Sequence, residues 1–275
     1  MTIMRDEVIN DITKWIDECI YFSRKINTNI VAHKSGYSLR HIHNIFKNEV
    51  GITVGHYIRL RRITCAALLL KFTNKSIFDI AIDMNYGSQQ AFCRTFHNTF
   101  KCKPLEYRKR KYINTSELYP PYPGKISHLN FGEEERSINL ITQEVKYREA
   151  IIGNYNKKSQ SNIYAKIINL LDHNYLAYIA SDFIKLNNPE STVGIISHIG
   201  LQINNNSSRT FKIRKKRYAS VNFEGSWSEY LTFKRSLYVK SNFTRMDGYD
   251  IEIFSLLPCD LGTASNLRVK ILVPI

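Results

Sequence analysis

Several things are scarce in this 275-residue chain, and each shortage removes a class of protein. The five cysteines, Cys19, Cys65, Cys93, Cys102 and Cys259, are scattered, odd in number and without a C-x-x-C pair. That argues against a disulfide framework and for reduced thiols in a cytoplasm. No stretch offers the ~18 uncharged apolar residues that a membrane-spanning helix needs. The start turns acidic at Asp6-Glu7 before any apolar run long enough for a signal peptide. A soluble cytoplasmic protein without a membrane partner is expected. A Gly-rich phosphate loop and a nucleophile elbow are both missing, so the carboxylates Glu224, Asp250 and Glu252 have no catalytic company and no enzyme is expected. His33, His41 and His43 with Cys19 or Cys65 fit no zinc spacing, and His41 and His43 point to different faces of a helix, so neither metal nor cofactor is expected.

Acidic residues are also short. The formal net charge is +15, and both halves share it: residues 1–120 hold nineteen Lys/Arg against ten Asp/Glu, and residues 121–275 hold twenty against fourteen. Such a balance suits a polyanion, although it also serves plain solubility. With 43% hydrophobic and 23% charged residues the composition is that of a folded globular protein, and the length leaves room for two domains.

What is present is a helix-turn-helix pattern that occurs twice. In Ile77–Phe96, apolar Ile77, Ile80, Ala81 and Met84 recur at helical spacing and stop at Asn85-Tyr86-Gly87, where Asn and Gly tolerate a left-handed turn. Ser88 stands where an N-cap belongs. Phe92 and Phe96 then give the next helix its buried stripe, leaving Gln89, Gln90, Cys93 and Arg94 to face elsewhere. Gln pairs with adenine and Arg with guanine from the first turns of a helix in the major groove. Fifty positions upstream, Val31–Phe46 repeats the plan, Ser38, Ile42 and Phe46 matching Ser88, Phe92 and Phe96. Between the copies, Thr53–Leu70 reads as one long helix able to hold two recognition helices about one DNA turn apart, roughly 34 Å.

The run Tyr57-Ile58-Arg59-Leu60-Arg61-Arg62, the segments Asp79-Ile80-Ala81, Tyr86–Gln90 and Arg94-Thr95-Phe96, and Pro104 before Tyr107-Arg108 resemble the DNA-binding domain of the AraC/XylS family, in its Rob/MarA/SoxS branch, over about residues 5–112. The base-facing candidates are then Arg40, His43 and Asn44 in the first recognition helix and Gln89, Gln90, Cys93 and Arg94 in the second. The first set departs from the branch, which carries Trp, Gln and Arg at those three places, so its half-site is expected to differ. Ser38, Arg59, Arg61, Arg62, Ser88, Arg108 and Lys109 are the candidates for DNA phosphates, which add affinity and salt dependence without sequence choice. Some of these arginines are expected to pair with neighbouring carboxylates instead.

The Pro-rich Tyr119–Gly124 and the run Glu133-Glu134-Glu135 mark a boundary, giving a DNA-binding domain at 1–112, a linker at 113–137 and a second domain at 138–275. Strands are expected at Ile138–Tyr147, Ala150–Tyr155, Val193–Leu201, Thr210–Arg214, Tyr218–Glu224, Asp250–Leu256 and Leu267–Val273, with helices at Asn162–Leu171 and Trp227–Lys240. The fold class is therefore multidomain: an all-α N-terminal part and an α+β C-terminal part, with no internal repeat visible in the latter. Tyr218–Gly225, Gly248–Phe254 and Val269–Ile275 resemble the GyrI-like effector domain that Rob carries. GyrI-like domains hold small molecules in a cleft. Glu252 with Phe223, Trp227 and Tyr230 would suit a cationic or amphipathic effector, while the same aromatics serve equally as packing.

The expectation is a sequence-specific regulator, an activator by resemblance, that binds promoter duplex as a monomer and contacts RNA polymerase. The competing reading is a small-molecule-binding or sequestering protein with only non-specific DNA affinity.

Overall fold

Five successive helices begin at a polar residue whose side chain accepts the amide three positions on: Asn27, Ser38, Thr53, Ser76 and Ser88. Each cap satisfies a donor that the helix itself leaves unpaired. In a computed structural model, described over residues 2–122, 131–151, 155–186, 191–203, 210–240, 243–257 and 266–275, these caps start α2 (Thr28–Ser35), α3 (Leu39–Val50), α4 (Val54–Phe72), α5 (Ile77–Asp83) and α6 (Gln89–Phe100). They follow α1 (Thr2–Tyr21) and precede α7 (Pro104–Lys109), which Pro104 opens. Among the described residues no helix is long and apolar enough to cross a membrane.

The spine is α4. Eleven of its residues are buried, so it has no single apolar stripe and runs through the middle of the helical module. Around its second half, Phe92, Phe96, Phe100 and Tyr107 pack as a ladder of rings with centroids 4.6–5.6 Å apart. The stretch expected to be a linker begins as structure: β1 (Tyr112–Asn114) and a 3-10 turn (Thr115–Glu117) lead to Ile113 and Leu118, both buried in the helical core. The Tyr122 amide donates to the Tyr57 hydroxyl at 3.0 Å, strapping the chain across α4.

The second half is sheet-rich. It comprises β2 (Gly132–Ala150), α8 (Lys157–Leu171), β3 (Ala177–Ile184), β4 (Thr192–Gln202), β5 (Phe211–Gly225), α9 (Trp227–Lys240), β6 (Thr244–Met246), β7 (Asp250–Leu256) and β8 (Leu267–Pro274). Six strands close an antiparallel barrel in the order β2-β4-β3-β7-β8-β5, and β6 pairs with β1. That order contains a repeat invisible in the sequence: β2-α8-β3-β4 and β5-α9-β7-β8 share one topology, and each half lays its third strand between its first and second. Ile163, Ile167, Tyr230 and Leu237 of the two helices cover Ile179, Phe254, Val269 and Ile271 of the sheet.

Three sequence expectations change. No strand was expected at β3, because Ala177 to Ser181 are all buried and such a segment lacks the alternation that marks a half-exposed strand. The separate strands Thr210–Arg214 and Tyr218–Glu224 are one, β5. Its exposed Lys215 and Arg217 resemble a turn in sequence but pair across the sheet with Glu135 and Glu133, which begin β2 and are not linker. Ala150 ends β2 and Tyr155 lies outside any strand, while 152–154 of the expected Ala150–Tyr155 strand lie outside the described residues, as does Cys259.

Buried tyrosines tie this fold to pH. Burial pushes the Tyr86 hydroxyl up to about 12 against the pull of Arg62 and Arg59, and burial followed by Asp250 pushes Tyr218 up to about 12. The unfolded chain gives up these protons near pH 10 and the folded chain does not, so their contribution is intact below pH 10 and is lost as pH rises towards 12. Melting temperatures followed by circular dichroism are expected to fall across that window, less steeply for Tyr86→Phe. An unchanged slope in the variant would remove Tyr86 as a cause.

Candidate nucleic-acid interface

Two pairs of helices present the expected polar sets. In the first, α2 ends at Gly36, whose φ of 71° lies in the left-handed region, and two residues later Ser38 Oγ accepts the His41 amide at 3.2 Å to start α3. Ile42, Ile45 and Phe46 are buried; Arg40 and Asn44 are exposed on the opposite side. His43 is half-buried, its Nε2 enclosed without a hydrogen-bond partner among the described residues.

In the second, α5 is followed by Asn85 at φ 56°, and the Asn85 side-chain amide donates to the Ser23 carbonyl at 2.9 Å, anchoring the turn to the end of α1. Ser88 Oγ accepts the Ala91 amide at 3.1 Å and begins α6. Phe92, Phe96 and Phe100 point inward, and Gln89, Gln90 and Arg94 are exposed. Cys93 is half-buried on the flank, and burial pushes its thiol up. Both serines thus commit their oxygen to capping. Ser88→Ala is expected to cost about 1 kcal/mol of stability in chemical denaturation, the usual loss of a cap; a loss near zero would mean that α6 does not depend on it.

The phosphate candidates divide. Arg59 and Lys109 are exposed. Arg61 is a correction: it turns into the module, its Nε donating to Asp17 Oδ1 at 2.8 Å and its Nη1 to the Tyr119 carbonyl at 2.6 Å. Burial disfavours its charge, yet Asp17 more than offsets that and holds the guanidinium ionised. The reason is position, since Arg61 lies on the side of α4 that packs against α1. Arg62 is half-buried and donates to the Ile26 carbonyl at 3.1 Å. Arg108 likewise turns back, giving its guanidinium to the Lys75 carbonyl just before α5, so it ties α7 to the segment that leads into α5.

The C-terminal candidates also regroup. Trp227, Tyr230 and Glu252 line a cavity of about 140 Å³. Phe223 does not line it; its ring packs behind, 5.7 Å from Tyr230 and 5.1 Å from Phe233. Glu252 is not a lone carboxylate either, for it accepts the Tyr230 hydroxyl and pairs with Lys234. Burial and then Glu252 hold the Tyr230 proton on, while Glu252 overcomes the burial that would otherwise discharge Lys234. Sequence reasoning missed Lys234, Glu149 and the helical-module residues Leu68 and Phe72 that share the lining. Lys234 was within reach, standing on the same helical face seven residues after Trp227 and four after Tyr230. The contacts across modules carry no local signal. Among the described residues no group of His, Cys, Asp and Glu is placed to hold a metal ion.

This geometry agrees with comparisons to known proteins. A family described as a helix-turn-helix domain matches residues 31–110. SoxS, a regulatory protein of Escherichia coli strain K12, is 42% identical over 104 residues, covering 38% of this chain and 95% of SoxS. The HTH-type protein YkgA of the same organism is 38% identical over 120 residues, 44% of this chain, so that the match spans about half of YkgA, 49%. The F1 operon positive regulatory protein of Yersinia pestis is 29% identical over 268 residues, 91% of this chain and 84% of that protein. With nearly the whole of SoxS matched at this identity, the chain belongs to the AraC/XylS family of helix-turn-helix proteins, in the branch that contains SoxS.

Proposed function

We propose that this protein is a sequence-specific transcription regulator that reads two successive major grooves with α3 and α6. The observation that carries the reading is the paired exposure of Arg40 and Asn44 on α3 and of Gln89, Gln90 and Arg94 on α6, each on a helix whose other face is buried against the module built around α4. Two turns of a helix placed in the groove offer this many side chains to base edges. Arg59 and Lys109, with the serine hydroxyls at both caps, supply backbone contacts, and the +15 charge supplies long-range attraction. One chain carries both readers, so it binds an asymmetric site as a monomer. Activation by contact with RNA polymerase is what the family resemblance implies, and the F1 operon positive regulatory protein among the relatives supports an activating role.

The division of labour in this reading is a DNA-binding part at 1–112 and an effector part of GyrI-like kind at 138–275, which the aromatic cavity beside α9 supports. That cavity suits a small amphipathic or cationic effector. The test is selection of random duplexes by the purified protein at near-physiological salt, with sequencing of what is retained. A motif about two helical turns long supports the reading. Retention without a motif supports the competing one, a ligand-binding protein with only non-specific DNA affinity.

A further inference from the structure

The cavity that holds Trp227 is shared between the two modules. Leu68 and Phe72 at the end of α4, with Ile113 and Leu118 after α7, form one wall, and Glu149 at the end of β2 stands on the barrel side with Trp227. The same seam is held by a ring contact of Phe72 with Phe183 at 5.5 Å, a backbone bridge from Thr73 to Leu186, and Lys75 Nζ on Ser191 Oγ at 3.1 Å. Three charged side chains line the space. Lys234 and Glu252 neutralise one another. Glu149, 4% exposed, accepts only neutral donors, the Asn156 amide at 3.0 Å and the Gln160 side-chain amide at 2.6 Å, and among the described residues no cation pairs with it. A buried carboxylate without a cation is unfavourable, and an occupant with one positive charge would offset that. The aromatic faces of Trp227 and Tyr230 favour the same charge. A volume of about 140 Å³ fits a single ring, since a cavity of about 150 Å³ takes up benzene.

Resting on the reading of this cavity as an effector site, we propose that it is a joint site for a one-ring monocation anchored by Glu149, and that its occupancy is linked to DNA binding through the end of α4. Phe72 lies four residues before Ser76, the cap of α5, so the wall of the cavity continues directly into the second reader. An occupant packed on Leu68 and Phe72 supplies the contacts that an empty wall lacks and fixes that junction. Linkage then requires that ligand and operator strengthen each other by one common factor.

The experiment is calorimetric titration of the full chain with benzyltrimethylammonium, benzyl alcohol and phenylacetate, each with and without a duplex retained in the selection above. The expected result is at least tenfold tighter binding of the cation than of the other two, and at least fivefold tighter cation binding with duplex present. Glu149→Gln removes the preference for charge and keeps the linkage. Phe72→Leu, or Phe72→Ala where its melting matches wild type, removes the linkage and keeps the preference. Cation binding that is equal with and without duplex overturns the linkage while the effector reading stands. A preference that survives Glu149→Gln overturns the anchor. Failure of all three probes to bind overturns the effector reading and this inference with it.

Discussion

Arg61→Ala is expected to destabilise the helical module by about 3 kcal/mol, the lower end of the range for breaking a buried ion pair, because Asp17 keeps part of its surface in water. The loss has two sources. Asp17 is left in a buried place where desolvation already raises its pKa, the Arg61 charge and hydrogen bond being what restrains it. The Tyr119 carbonyl also loses its donor, and with it the strap that residues 118–122 lay across α4. Arg59, two positions away and exposed, gives the opposite result: Arg59→Ala leaves chemical denaturation unchanged and lowers the salt dependence of duplex binding by about one counterion. Denaturant midpoints and log K against log salt, measured for both variants, separate the two roles. An Arg61→Ala protein of wild-type stability with a reduced salt slope would return Arg61 to the DNA surface.

Arg94→Ala is expected to relax the choice of base at one position of one half-site by about 1–3 kcal/mol, a factor of roughly 5 to 150, with little effect on affinity for unrelated duplex. Arg94 is exposed beside Gln90 on the side of α6 away from Phe92 and Phe96, so its removal leaves the core untouched. Arg40→Ala is expected to do the same at the other half-site, from the position of α3 that matches Gln90. Competition binding against every single-base variant of the selected operator gives both maps. A uniform loss across all sequences would make these arginines phosphate contacts and move base reading to the glutamines.

Where the chain folds by local rules, the sequence showed it. The serines at 38 and 88, the left-handed turn residue Asn85, and the spacing of Ile42/Phe46 and Phe92/Phe96 announced two capped helices and their inward faces, and the structure has both. The strands of the second half were legible where one face is wet, as along β2, and illegible in β3, whose two buried faces erase the alternation. The barrel's repeat escaped notice because topology repeats there without matching residues. Arg59, Arg61 and Arg62 look alike in sequence. Only the partner that each meets separates them, and Asp17 lies forty-four residues from Arg61. The cavity was half visible for the same reason, since Trp227, Tyr230 and Lys234 share a helix face while Leu68 and Phe72 arrive from the other module.

The claim at the centre of this account is that one chain holds two readers at a fixed separation, set by the 19 residues of α4, about 28 Å of helix. Its most direct test is the affinity of the monomeric protein for operators in which the two half-sites are moved apart one base pair at a time. The account predicts one sharply preferred spacing, near one helical turn, with a fall to single-reader affinity when about five base pairs turn one half-site to the opposite side of the duplex. Affinity that is indifferent to spacing, at a stoichiometry of one chain per duplex, would contradict it.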